Sequence, residues 1–272
     1  MNIKHVTSNK FLFERHTNVR FKSMSYLQTH NFYEFYYLAQ GERQYFLNNT
    51  IYQLKQGDVL LIPPNVLHRS IGSETSYYSR VLMDIPKDVF ETEFREKYET
   101  ETTKYIYKIP KKRRAFFESL IEKLEYEYSN NDGYSDYLIR KYVNEILIFL
   151  MRMDKGYTFS YSSLTSNRVI SSATLYMSEH YEKQLSLDDV AREVGMSKSH
   201  FCRLFKEKTG FNFSDYLTGV RINEATKLLR DTDLSITEIA SRCGYNDSAY
   251  FAMIFKKVKG VTPLKYRKSP EL

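Results

Sequence analysis

The chain carries one pattern twice. Residues 185–210 read "LSLDDVAREVGMSKSHFCRLFKEKTG" and residues 234–260 read "LSITEIASRCGYNDSAYFAMIFKKVKG". Leu185, Ser186, Ala191 and Gly195 recur 49 residues on as Leu234, Ser235, Ala240 and Gly244. Phe201, Phe205, Lys206 and Gly210 recur 50 residues on as Phe251, Phe255, Lys256 and Gly260, so one residue is inserted at the turn. Each copy predicts the same local structure. Ser186 with Asp189, and Ser235 with Glu238, form Ser-x-x-acid boxes that open a short helix. Ala191 and Ala240 let a second helix cross closely, and Gly195 and Gly244 supply the left-handed backbone that ends the first. The second helix turns Phe201, Leu204 and Phe205 inward in one copy, and Phe251, Ile254 and Phe255 in the other. Such a unit is a helix-turn-helix, whose second helix enters a DNA major groove. One copy alone would equally describe an ordinary helical hairpin.

The outward faces of the two second helices differ. The first presents Lys198, Ser199, Cys202, Arg203 and Lys206. Arg203 suits a bidentate pair with guanine, Ser199 can donate or accept, and Lys198 and Lys206 suit phosphates. The second presents Ser248, Ala249, Ala252, Met253 and Lys256. Alanine and methionine touch thymine methyls but cannot hydrogen-bond a base edge, so this copy is expected to read sequence weakly and hold the backbone through Lys256. The joining stretch, "FNFSDYLTGVRINEATKLLRDTD", predicts a long helix capped at Asn212, with Tyr216, Leu217, Val220, Ala225 and Leu228 turned inward. It would fix the spacing of the two units, about 34 Å for successive grooves on one DNA face.

The segment from about Thr165 to Arg267 resembles the DNA-binding domain of the AraC/XylS family of bacterial transcription regulators. Ala191, Gly195, Ser197, Phe201, Phe205-Lys206, Gly210, Tyr216-Leu217, Arg221, Ala225, Leu228-Leu229, Ile236, Ile239-Ala240, Gly244-Tyr245, Tyr250-Phe251, Phe255-Lys256, Gly260, Thr262-Pro263 and Tyr266-Arg267 carry the resemblance. It implies base contacts from the faces just described and an internal salt bridge, not a DNA contact, for Arg221. It also implies an effector-binding lobe, a homodimer, and RNA polymerase as a partner. The sequence departs from the family at Ala249, Ala252 and Met253, where many relatives carry polar side chains.

The first hundred residues alternate like short antiparallel strands. Asn48-Asn49 marks a tight turn, Gly57-Asp58 another, 59–62 a buried strand and Pro63-Pro64-Asn65 a third turn. "QTHNFYEFYYLAQG" and "GDVLLIPPNVLH" are similar to the two halves of the cupin motif. His30, Glu34 and His68 fall at ligand positions, and Gln28 stands where the first histidine would be. With an amide in that place, a resident metal is not expected; Gln28, His30, Glu34, Tyr36 and His68 are the expected effector pocket. A sugar or oligosaccharide is the effector class drawn from the family. The first twenty-odd residues are expected, by the same analogy, to lie over the barrel mouth as an arm.

Helical spacing follows from Lys111. Phe116, Phe117, Leu120, Ile121 and Leu124 form one stripe; Leu138, Tyr142, Val143, Ile146, Leu147 and Leu150 form another after the Asn130–Gly133 break. Two antiparallel helices could cover the barrel and offer a stripe to a second subunit. The expected fold class is thus α+β and multidomain: a cupin-like barrel with a helical dimerisation hairpin (1–153), a Ser/Thr-rich linker (154–166), and an all-α double helix-turn-helix domain (167–272). Composition excludes little more. The longest aliphatic run, 146–151, is too short to span a bilayer. Two cysteines, one in each copy, suit free thiols and a cytoplasmic location, and a formal charge of +7 permits a polyanionic partner. The competing function is a cupin metalloenzyme with an accessory nucleic-acid-binding module, and no further acid/base group supports it.

Overall fold

Alternation in the N-terminal half builds two five-stranded sheets that face one another. The first has the order β1 (Ile3–Val6), β3 (Leu27–His30), β8 (His68–Ile71), β5 (Glu42–Leu47), β6 (Thr50–Lys55). The second runs β10 (Ile106–Lys108), β7 (Asp58–Ile62), β4 (Tyr33–Gln40), β9 (Tyr77–Ile85), β2 (Leu12–Arg20). All pairs are antiparallel except β1 with β3. This computed structural model describes residues 3–6, 8, 10–20, 27–47, 50–71, 77–101, 105–154 and 168–268.

Strand β4 shows why a barrel results. Its side chains alternate between faces, yet Tyr33 to Leu38 are all buried. Tyr33, Phe35 and Tyr37 point outward and pack under helices α2 (Lys111–Asn130) and α3 (Ser135–Asp154), against Phe117, Leu120, Leu124, Val143 and Leu147. Tyr36 and Leu38 point inward with Tyr45, Leu47, Leu54, Leu60 and Ile62. Each such aromatic or aliphatic side chain contributes about 1.5–3 kcal/mol on burial. Phe46, Ile51 and Leu67 on the outer face of the first sheet pack instead against the C-terminal domain, in one cluster with Phe205, Phe211 and Tyr216. Helices therefore cover both outer faces.

Some expectations need correcting. Phe116 is 53% exposed and meets Phe149 on the outer surface, because Phe117 already fills the inward position one residue on. Ile139 is buried where Leu138 is only half-buried, and Leu229 replaces Leu228 in the same way. Leu204 is half-buried. A helix α1 (Thr92–Glu101) and the three-residue β10 carried no clear periodicity. Ile3–Val6 and Leu12–Arg20 pair with β3 and β9, so these residues are sheet strands and not a separate arm. Asn48-Asn49 lies outside the described residues, although Leu47 pairs with Thr50 across it. The linker expected at 154–166 likewise lies outside them beyond the end of α3.

The C-terminal part holds α4 (Arg168–Glu179), α5 (Leu187–Glu193), α6 (Lys198–Thr209), α7 (Phe213–Asp231), α8 (Ile236–Arg242), α9 (Ser248–Lys259) and α10 (Pro263–Lys268). Both predicted capping boxes form at Ser186 and Ser235. Gly195 and Gly244 adopt φ of 68° and 76°. Asn212 occupies the N-cap position of α7 without a side-chain cap bond. Arg221 is half-buried, but in place of the expected salt bridge it donates to the Tyr181 and Lys183 carbonyls at 2.8 and 2.7 Å, and among the described residues it pairs with no carboxylate.

Candidate functional site

Two features stand out: an exposed helix face on each repeat and a buried polar cluster inside the barrel. On α6, Lys198, Ser199, Cys202, Arg203 and Lys206 are all exposed. The opposite side buries Phe201 and Phe205 against Tyr216. On α9, Ala249, Met253 and Lys256 are exposed, while Ser248 and Ala252 are half-buried. The Asp247 carboxylate accepts from the backbone N–H of Ala249 and Tyr250, at 2.7 and 3.1 Å, and so fixes the start of this helix. His200 and Tyr250 are exposed beside these faces as well. Sequence reasoning passed over both, having assigned Tyr250 to the family motif. Cys202 is exposed and Cys243 is buried; both are free thiols.

Inside the barrel, β3, β4 and β8 bring His30, Glu34 and His68 together. Glu34 Oε2 lies 3.5 Å from His68 Nε2 and 3.7 Å from His30 Nε2. His30 Nδ1 sits 2.7 Å from the Phe32 carbonyl and His68 Nδ1 2.9 Å from the Val66 carbonyl. A carbonyl only accepts, so each Nδ1 carries a hydrogen and each Nε2 faces the carboxylate. Burial alone would raise the Glu34 carboxyl, but His68 and His30 outweigh it and hold it below the ordinary carboxylate range. Gln28 stands opposite His68 in the β3–β8 register and is buried with Tyr36. The five pocket residues read from the sequence are therefore all interior.

Three further groups join them. Arg43 is buried, with its guanidinium 4.2 Å from the centre of the Tyr78 ring. Arg80 lies 5.6 Å from the Tyr36 ring centre and donates to His16 Nδ1 at 3.2 Å. Asp84 pairs with Glu34 in the β4–β9 register; burial, then Glu34 and Glu14, push its carboxyl up to about 7. The alternation of "YYSRVLMDI" in β9 puts Arg80 and Asp84 on one face, a signal that was available but not used. The Tyr36 hydroxyl is buried with no hydrogen-bond partner among the described residues, and burial pushes it up to about 12. Charged, aromatic and hydroxyl groups converging in this way suit a small polar ligand. His30, Glu34 and His68 also present three candidate metal-ligand atoms within 4.8 Å of one another.

Comparison with known proteins covers both features. A model described as "Helix-turn-helix domain" matches residues 190–269, and one described as "AraC-like ligand binding domain" matches residues 14–85. The chain is 27% identical over 241 residues to the HTH-type transcriptional activator RhaR of Mannheimia succiniciproducens, covering 89% of this chain and 86% of that protein. It is 30% identical to the lactose operon transcription activator of Staphylococcus xylosus over 148 residues, 54% of this chain and 52% of the other. Among solved structures, the C-terminal domain of AraT, a response regulator from Geobacillus stearothermophilus, is 36% identical; the match covers 37% of this chain and 84% of that one with a TM-score of 0.36. Among the described residues, no helix is long and apolar enough to cross a membrane.

Proposed function

Since the chain belongs to the AraC/XylS family of DNA-binding transcription regulators and not to a family of enzymes, we propose that it activates a nearby catabolic operon when a small polar molecule fills the barrel. The observation that carries this reading is the interior set of Gln28, His30, Glu34, Tyr36 and His68, joined by Arg43 and Arg80. These groups can hydrogen-bond hydroxyls around a ring, and Tyr36, set edge-to-face against Tyr45 with centroids 5.1 Å apart, can stack on one face of it. A sugar or oligosaccharide fits this chemistry, and one relative is a lactose operon transcription activator. The protein acts in the cytoplasm as a homodimer, with RNA polymerase as its partner at the promoter. Dimerisation through α2 and α3 is supported by the exposed aromatics Phe116, Tyr126, Tyr134 and Tyr137.

A second reading of the pocket has one specific observation behind it. Two imidazole nitrogens and a carboxylate oxygen, each imidazole held from behind by a carbonyl, form a donor set that suits a divalent transition metal. When bound, such an ion would polarise an effector oxygen. Metal content of protein purified without chelators, below one-tenth of an equivalent, would retire that reading.

Base reading falls to Ser199, Cys202 and Arg203 on α6, and on α9 to the Ser248 hydroxyl and, by contact with thymine methyls, to Ala249, Ala252 and Met253. Lys198, Lys206 and Lys256 hold phosphates. Arg203→Ala is expected to cost about 1–3 kcal/mol on the specific site and to relax preference at one base pair. Equal losses on specific and random DNA would contradict the base-reading role. Met253→Ala is expected to change affinity by less than about 0.5 kcal/mol, because no base hydrogen bond is lost; a large loss of specificity in a binding assay would show that α9 reads bases. The whole reading is tested by recovering and sequencing genomic fragments bound by the purified protein. Enrichment of paired boxes about one helical turn apart supports it; no enrichment, with or without cell extract as a source of effector, overturns it.

A further inference from the structure

Lys259 is the last residue of α9 and is only 4% exposed. Its Nζ donates to Thr29 Oγ1 at 3.3 Å and to Asn65 Oδ1 at 3.4 Å, both in the N-terminal lobe. Thr29 belongs to β3, beside which β1 runs, and α9 packs next to β1. Asn65 sits in the turn between β7 and β8 with φ of 65°, and its backbone N–H donates to the His30 carbonyl at 2.7 Å. The Nζ has thus left water for a nook that also holds the buried Tyr266 ring, whose centre lies 5.8 Å away. Burial pushes its pKa down to about 7, the mark of a cation held where desolvation outweighs local compensation.

The place of Lys259 on its helix gives this contact a meaning. Ser248, Ala252, Lys256 and Lys259 follow one another at helical spacing and form one stripe along α9. That stripe belongs to the face assigned to DNA. Its first residues reach toward base edges, and a lysine at the C-terminal end of a recognition helix lies at the level of the sugar-phosphate backbone. In the structure this last position is occupied by the N-terminal lobe.

We infer that Lys259 is a shared contact: it clamps the second helix-turn-helix to the N-terminal lobe in the free protein and moves to a DNA phosphate in the bound one. Lobe docking and full engagement of DNA by α9 therefore exclude each other at this residue. Release exchanges these contacts for an ion pair between the Lys259 ammonium and a phosphate. Its aliphatic stem can stay packed until the head leaves. A cation also marks the first repeat: Arg69 of β8 is buried with its guanidinium 4.9 Å from the Phe211 ring centre, just past the end of α6. Because Thr29 precedes His30 and Asn65 bonds to its carbonyl, a shift of the His30 backbone displaces both acceptors of Lys259 together. The clamp itself does not depend on the barrel binding a ligand.

The test uses the full chain and two duplexes, a random sequence and a genomically enriched fragment. Lys259→Met keeps the buried stem but cannot hold a phosphate, so the slope of log affinity against log salt should fall by about 0.9 on either duplex. Asn65→Asp places a carboxylate against the ammonium in a backbone conformation that Asp tolerates. It should tighten the clamp and weaken binding to both duplexes about tenfold or more in the wild-type background. In the Lys259→Met background the same Asn65→Asp change should have no effect. Asn65 is in the other lobe, so a change in DNA affinity that needs Lys259 cannot come from a misfolded DNA-binding domain. An unchanged salt slope in Lys259→Met, or an Asn65→Asp effect that is absent or equal in both backgrounds, overturns the inference. Failure of enrichment with these two results intact would instead remove the proposed function and leave the clamp standing.

Discussion

Phe205→Ala is expected to destabilise the C-terminal domain by about 3–5 kcal/mol and to abolish DNA binding. Phe205 is fully buried, with its ring centre 5.4 Å from that of Phe201 and 5.6 Å from that of Tyr216. Tyr216 in turn lies 5.7 Å from Phe46 of the barrel. Truncation opens a cavity where α6, α7 and the first sheet meet, and rigid helices on every side cannot collapse into it. Against a total of about 5–15 kcal/mol for a domain, little stability would remain. Denaturant titration followed by helical circular dichroism is the measurement; an unchanged midpoint would mean that this cluster is not the core of the first repeat. Phe255→Ala provides the contrast. Phe255 packs against Phe251 and Tyr266 in a cluster that holds no barrel residue, so its loss should be of similar size but should leave the contact between the barrel and α6 intact.

The second large effect is expected at Glu34. Its carboxylate faces two imidazoles at 3.5 and 3.7 Å inside the barrel. Glu34→Gln leaves those rings without a charged partner and is expected to cost the barrel about 3–5 kcal/mol at neutral pH, as for a broken buried pair. The sign of the pH dependence follows from the depressed carboxyl. A folded-state pKa below the unfolded one stabilises the fold above the unfolded value, about 4.3, and the contribution disappears as pH falls through the folded value. Wild-type protein should therefore lose more stability than Glu34→Gln as pH falls below about 4.3. Urea midpoints measured between pH 6 and pH 3 decide it; identical acid limbs in the two proteins would mean that Glu34 is not ionised in the fold.

The repeat was legible because local chemistry alone fixes it. Capping serines, turn glycines and helical spacing each act within a few residues, and Ser186, Gly195, Ser235 and Gly244 all do what their types predict. The pocket histidines and Glu34 were legible through motif spacing. Alternation alone puts Arg80 and Asp84 on one face of β9, but that this face, like that of Arg43, turns inward depends on which strands pair across the barrel. Lys259 was hidden for a stronger reason: its partners lie 230 and 194 residues away, and nothing at the end of α9 distinguishes it from its exposed neighbours Lys256 and Lys257. Phe116 misled for the opposite reason, since two adjacent phenylalanines cannot both face one side of a helix.

The pairing of β2 with β9 joins Leu12 to Asp84 and Arg20 to Tyr77. On an emerging chain, β2 must wait unpaired until β9 has left the ribosome, and long-range pairing of this kind is slow to form. The first repeat also needs the barrel, since Phe46, Ile51 and Leu67 complete its cluster. The DNA-binding half is made last, long after β9 has emerged, so at about 5–20 residues per second the barrel has time to close first, and a nascent regulator would have little time to grip DNA unsupervised.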